Sequence, residues 1–234
     1  MFNFQQLEIV AVAGCLALTS VGCQPKTDEK PENTRPVMVD PWANDQRTQP
    51  ADAAYKPKTA EPLPPPTIPE VALSDALRAT CLVNVGDTLP EAKLAGLDDN
   101  LHTLDSLYGP KLTVVCFWTI GTTRRAQLTA TATLKDLTNQ VDELFLQKGV
   151  RVVGINVGDP AEDVNEYADQ AKATFPILLD PKGEYFVKIA KDRKMPRIFL
   201  LDAQGEILWF DVEFSRSARQ DLAQGIRVAL EELE

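Results

Sequence analysis

Residues Phe117–Leu128, FWTIGTTRRAQL, carry two guanidiniums and several hydroxyls to the point where an apolar strand gives way to a helix. A helix N-terminus offers unpaired N–H groups and the positive end of the peptide dipole, so this end, with Arg124 and Arg125 on it, could hold an anion or a carboxylate. The hydroxyls of Thr122 and Thr123 could act as nucleophiles only beside a base, and His102 is the chain's single histidine. Thiol chemistry lacks its reagents here. Exchange needs a thiolate and a second sulfur, and no cysteine lies between Phe117 and the chain end.

The elements that must position these residues follow from periodicity. Leu112–Trp118, LTVVCFW, is a continuous run of β-branched and aromatic residues, which suits a strand covered on both faces. No Pro or Gly falls between Thr123 and Gly149, and Leu134, Leu137, Val141, Leu144 and Phe145 recur at helical spacing. Val150–Val157 reads as the next strand, and Asp159 with Pro160 as the cap and first turn of a helix through about Ala173. Arg197–Leu201, the turn at Asp202–Gly205 and Ile207–Val212 read as a hairpin. The chain closes with a helix whose apolar stripe is Leu222, Ile226, Ala229, Leu230 and Leu233, capped by Ser217.

Upstream, the composition changes. Ile9–Val21 is apolar or small, too short to span a bilayer but the right length for the hydrophobic region of an export signal, although no Lys or Arg precedes Lys26. VAGC ending at Cys15 and SVGC ending at Cys23 resemble lipoboxes, and Cys23 is preferred because it leaves a full hydrophobic stretch behind it. Residues 24–80 form the tether. Eleven of the 17 prolines fall between Pro25 and Pro69 among charged and small residues, a composition that cannot bury enough surface to offset ordering. PLPPP at Pro62–Pro66 reads as spacer, with a polyproline II ligand as the alternative, and a short helix is expected near residues 71–79. Residues 1–23 are thus expected to direct export and lipid anchoring at the cell envelope, with secretion after signal cleavage as the alternative. The folded domain is placed at residues 81–234.

The net charge of −10 argues against nucleic acid, whose affinity rests on clustered Lys and Arg. One histidine and no close cysteine pair in the domain give no metal-ligand spacing, and no cofactor is expected.

The element order, strand–helix–strand–helix and then hairpin–helix, together with several landmarks, resembles the TlpA/ResA-type branch of thioredoxin-fold proteins, related to the peroxiredoxin-like families. The landmarks are VGDTLP at Val85–Pro90, LHTLDSLYGPKLTVVCFW leading into the central strand, FPILLDPKG at Phe175–Gly183, and MPRIFLLDAQG at Met195–Gly205. The resemblance implies an α/β fold: a central mixed sheet between helices, with an opening strand over Val85–Pro90 and an added N-terminal hairpin that carries His102. It also implies a cis peptide bond at Pro196 and a loop, Lys191–Arg197, packed beside the helix start. Arg124, Arg125, Lys194, Met195, Pro196 and Arg197 then become the candidate binding residues. Solvated surface charge is the alternative for the cations, and core packing the alternative for Met195.

The family's cysteine pair has no counterpart. Phe117 and Trp118 match the start of its motif, and Arg125, Ala126, Gln127 and Leu128 match the end, with one residue missing between. Gly121 and Arg124 fall on the cysteine positions when aligned from the helix, and Thr122 on the first when aligned from the strand. Gln127 stands in the place of the family's titratable Glu, keeping its shape for packing and hydrogen bonding without its acid–base capacity. Cys81 precedes the first strand and Cys116 lies inside the central one. A disulfide between them is conceivable in an oxidising compartment, though a central strand offers little room to a partner from outside. Two functions are therefore expected in competition. One is a tethered, redox-inactive module that binds an envelope protein or an anionic ligand; the other is a thiol-disulfide or peroxiredoxin-like oxidoreductase.

Overall fold

A computed structural model describes residues 65–233. The expected signal and lipobox, with Cys15 and Cys23, and the tether up to residue 64 lie outside the described residues. No described helix is long and apolar enough to cross a membrane.

Seven strands form one sheet in the order β2-β1-β5-β4-β3-β6-β7. They are β1 (Lys93–Gly96), β2 (Leu101–Thr103), β3 (Leu112–Trp118), β4 (Val150–Val157), β5 (Ile177–Asp180), β6 (Arg197–Asp202) and β7 (Ile207–Val212). β3 runs parallel to β4, from Leu112 opposite Val150 to Trp118 opposite Asn156, and antiparallel to β6. Every residue of β3 is buried, as its unbroken apolar run requires. Successive side chains alternate between faces, so Val114, Cys116 and Trp118 join the core on one face, and Val115 and Phe117 the core on the other.

The first face is covered by α2 (Arg124–Leu137), α3 (Glu143–Phe145), α4 (Ala161–Ala171) and α5 (Arg216–Glu231). A π-turn over Thr138–Asp142 separates α2 from α3 and shifts the helical phase. It explains why Leu144, expected in the stripe, is 53% exposed while Phe145 is buried. Leu233 also leaves its expected stripe and is exposed beyond the last turn of α5.

Four local expectations shift. Val85–Pro90 forms no strand and contributes a single bridge, Thr88 to Glu206, because Pro90 cannot extend a ladder. Ser215, not Ser217, caps α5 by accepting from the Ala218 N–H. Pro160, not Asp159, occupies the cap position of α4, since the Asp159 carboxylate is engaged elsewhere. Part of the segment assigned to the tether packs on the domain: Ile68 and Val71 lie against the core, and Gln224 donates to the Thr67 carbonyl at 2.9 Å. A short helix, α1 (Asp75–Arg78), follows and is capped by Ser74.

His102 lies on β2, with Nε2 3.0 Å from Asp98. The Asn100 amide and this ring hold the Asp98 carboxyl down to about 2.

Candidate functional site

One carboxylate fixes the loop between β3 and α2. Asp159 Oδ2 accepts from the Ile120 N–H at 2.8 Å, from Asn156 Nδ2 at 2.9 Å and from Thr119 Oγ1 at 3.0 Å. Asn156, at the buried end of β4, returns an acceptor to the Asp159 N–H at 3.2 Å. A charged acceptor shared by three donors is worth more than neutral bonds. Asp159→Asn halves the acceptors and puts an amide among donors. It is expected to cost about 1–2 kcal/mol, read as a lower midpoint in urea with an unchanged slope; an unchanged midpoint would remove this carboxylate from the account.

Beyond that loop, Gly121 has φ +70°, and Thr123 caps α2 by accepting from the Ala126 N–H at 3.2 Å. Arg124 and Arg125 follow, both exposed. Across from them the Met195–Pro196 bond is cis. The Pro196 carbonyl accepts from the Glu213 N–H at 2.9 Å, which ties the loop to the end of β7.

Between the first turns of α2 and this loop lies a pocket of about 250 Å³. Its apolar wall is Trp118, Ala126, Ala130, Met195 and Pro196; Thr119, Thr123, Thr129, Thr133 and Arg125 supply the polar part. The structure thus brings Arg125, Met195, Pro196 and Thr123 together and leaves Gly121, Thr122, Arg124 and Gln127 off the pocket. The Gln127 side chain makes no hydrogen bond among the described residues; only its backbone is engaged, donating to the Thr123 carbonyl at 3.0 Å.

Two of the expected surface cations are internally paired, which weakens the basic concentration anticipated beside the helix start. Lys194 Nζ lies 2.5 Å from Glu213 Oε1. Arg197 is a larger correction: its side chain is 1% exposed, and Nη2 meets Asp192 Oδ1 at 2.5 Å and Thr80 Oγ1 at 2.9 Å. Strand parity explains the inward turn. Arg197 shares a face with Phe199 and Leu201, which pack in the core opposite α2.

The two described thiols stand apart from the pocket and from each other. Cys116 is fully buried in the core beneath α2, and burial pushes its thiol well above the ordinary range. Cys81 packs against the core on the opposite face, where Arg197 Nη1 donates to its Sγ at 3.2 Å. Both are free thiols, divided by the sheet. Trp118 Nε1 is buried without a partner; a Cβ on Gly154 would come within 3.4 Å of it, which places the indole N–H over β4 rather than over the loop of Pro196.

Sequence reasoning missed Asp159 as the anchor of the loop and Thr133 as part of the pocket. A polar residue at the end of a buried strand, Asn156, was the available signal for the first, since such a group needs partners.

Residues 85–210 match the AhpC/TSA family. Over 125 residues the chain is 28% identical to the thiol-disulfide oxidoreductase ResA of Geobacillus kaustophilus, covering 53% of this chain and 67% of that protein. Among solved structures, a candidate thiol:disulfide interchange protein DsbE of Chlorobium tepidum superposes with a TM-score of 0.53 at 26% identity, over 63% of this chain and 99% of that one. A candidate protein disulfide isomerase of Bacteroides thetaiotaomicron gives 0.57 at 22% identity, over 65% and 93%, a likeness of fold. With the match spanning more than half its length, this chain belongs to the AhpC/TSA family and has a thiol-disulfide oxidoreductase-like thioredoxin fold.

Proposed function

We propose that this protein is a redox-inactive member of its family that binds a polypeptide or an anionic ligand at the face formed by the start of α2 and the Pro196 loop. The observation that carries the reading is the position of its sulfurs. The strand-to-helix turn holds Gly121, Thr122, Thr123 and Arg124 and no cysteine, while Cys116 lies in the core on one face of the sheet and Cys81 is half-buried against the core on the other. Burial raises the pKa of the Cys116 thiol and makes it a poor nucleophile. The recognition geometry, by contrast, remains. Met195, beside the pocket, makes no backbone hydrogen bond among the described residues, leaving an N–H and a carbonyl to pair with an extended chain.

The names of the relatives support a second reading, thiol-disulfide or peroxide turnover by an unrecognised sulfur. Consumption of hydrogen peroxide by the full chain with dithiothreitol as reductant separates the two. No consumption above background is expected, and turnover abolished by Cys81→Ala would overturn the proposal.

The protein is tethered at the cell envelope through a lipid on Cys23, with Cys15 the alternative. Export context is supported by the Ile9–Val21 stretch and the proline-rich segment after it. In a bacterial host fed labelled palmitate, label on the full chain is expected to disappear in Cys23→Ser; loss in Cys15→Ser instead would move the anchor, and no label at all would refute it.

A further inference from the structure

The pocket beside Pro196 has polar equipment that packing leaves unexplained. Along α2, the hydroxyls of Thr129, Thr131 and Thr138 each donate to a carbonyl four residues back, those of Arg125, Gln127 and Leu134, at 3.0, 3.1 and 2.9 Å. Thr133 sits between them in the same helix and does not follow: its hydroxyl makes no hydrogen bond among the described residues, although the residue is only 3% exposed. It lines the pocket. Trp118 Nε1 is the one buried side-chain N or O atom without a partner among the described residues, so the Thr133 hydroxyl is not sealed in the core. Its oxygen is open to solvent on a residue that lines the pocket, where it offers a donor and an acceptor to an occupant.

Arg125 completes the pattern. It lines the same pocket and pairs with no carboxylate among the described residues, whereas Lys194 and Arg197 nearby are each held by an acid. The rest of the wall is apolar: Trp118, Ala126, Ala130, Met195 and Pro196. About 250 Å³ is room for one or two side chains and no more.

We infer that this pocket selects an extended polypeptide segment in which an apolar side chain is followed by a carboxylate, the apolar group lying against Ala126, Ala130 and Pro196, with the carboxylate held by Arg125. Thr133 hydrogen-bonds the polar atoms of the inserted residue. This rests on the binding role proposed above and adds the ligand's chemistry. Charge complementarity chooses an acidic partner, since Arg125 is the pocket's only ionised side chain. A segment rather than a small carboxylate is favoured by the unpaired Met195 backbone at the pocket's edge.

The test is fluorescence anisotropy of the full chain with two labelled, end-blocked heptapeptides, Gly-Ser-Leu-Glu-Leu-Ser-Gly and the same peptide with Gln in place of Glu. The Glu peptide is expected to bind about tenfold more tightly. Arg125→Gln, at an exposed position, should erase that preference, the two peptides then binding equally. Thr133→Val, which keeps the shape, should weaken both peptides. Equal binding of the two peptides, an undisturbed preference in Arg125→Gln, or no binding by either peptide would each overturn the inference. Sodium acetate and butyrate as competitors form a further arm: a small carboxylate displacing the Glu peptide at micromolar concentration would show that the pocket serves a metabolite instead. The broader reading fails on different evidence, peroxide or disulfide turnover by the same preparation, so the two failures are distinguishable.

Discussion

Asp192→Asn is expected to destabilise the domain more than removal of the arginine it faces. Arg197 is almost fully buried with its guanidinium against Asp192 Oδ1, Thr80 Oγ1, Cys81 Sγ and the Lys194 carbonyl, and Asp192 supplies its counter-charge. Removing that charge leaves a cation out of water without compensation, a change worth about 3–5 kcal/mol in buried pairs. The Asp192 side chain is 39% exposed, so water can partly replace it, and about 2–3 kcal/mol is the expected loss. For a domain of this size that lowers the melting temperature by roughly 4–12 °C. Arg197→Met leaves a half-exposed carboxylate that water can solvate, and its cost should be smaller. The double variant Asp192→Asn, Arg197→Met should recover much of the stability lost in Asp192→Asn alone. Thermal denaturation of the four proteins forms a cycle; simple additivity would mean that the pair does not act as one unit.

Placing cysteines at Gly121 and Arg124, the positions that the resemblance assigns to the family's pair, is expected to produce a less stable protein rather than an oxidoreductase. Gly121 has φ +70°, and a Cβ there would lie 2.7 Å from the Ala126 Cβ, a distance that real structures avoid. The left-handed backbone costs a non-glycine residue about 1–2 kcal/mol, and the overlap adds to it by forcing the loop or α2 to move. That loop is fixed at Ile120 by Asp159 and closed at Thr123 by the cap, which leaves it little slack. Gly121→Cys alone should therefore lower stability by roughly 2–3 kcal/mol, and Gly121→Cys with Arg124→Cys should show no insulin reduction after oxidation and re-reduction. Adding Ala126→Gly relieves the contact but not the backbone angle, so it should return only part of the stability. A double-cysteine variant as stable as the parent and active on insulin would contradict this expectation.

Much of this architecture is legible in the chain because its signals are strong and local. Continuous apolar runs define β3 and β4, the turn at Asp202–Gly205 defines the β6–β7 hairpin, and the order of elements leads to the sheet. The cis bond before Pro196 is legible only through resemblance, since nothing in Met-Pro itself dictates it. Arg197 is misread for a physical reason: in a loop with Lys191, Arg193 and Lys194, another cation resembles surface. Its burial depends on strand parity and on Asp192 five residues earlier. Asp159 is misread because Asp before Pro is a strong helix-start signal, while its actual donors, Thr119 and Ile120, lie about forty residues away in sequence. The phase shift that exposes Leu144 is set by one π-turn, which no simple period reveals.

The reading rests on thiols that are absent from one turn, buried at Cys116 and half-buried away from that turn at Cys81. The most direct measurement is insulin reduction by the full chain with dithiothreitol, followed as turbidity beside Cys81→Ala and Cys116→Ala. The account predicts precipitation no faster than with dithiothreitol alone, identical for all three proteins. Acceleration by the parent that disappears in either variant would contradict it.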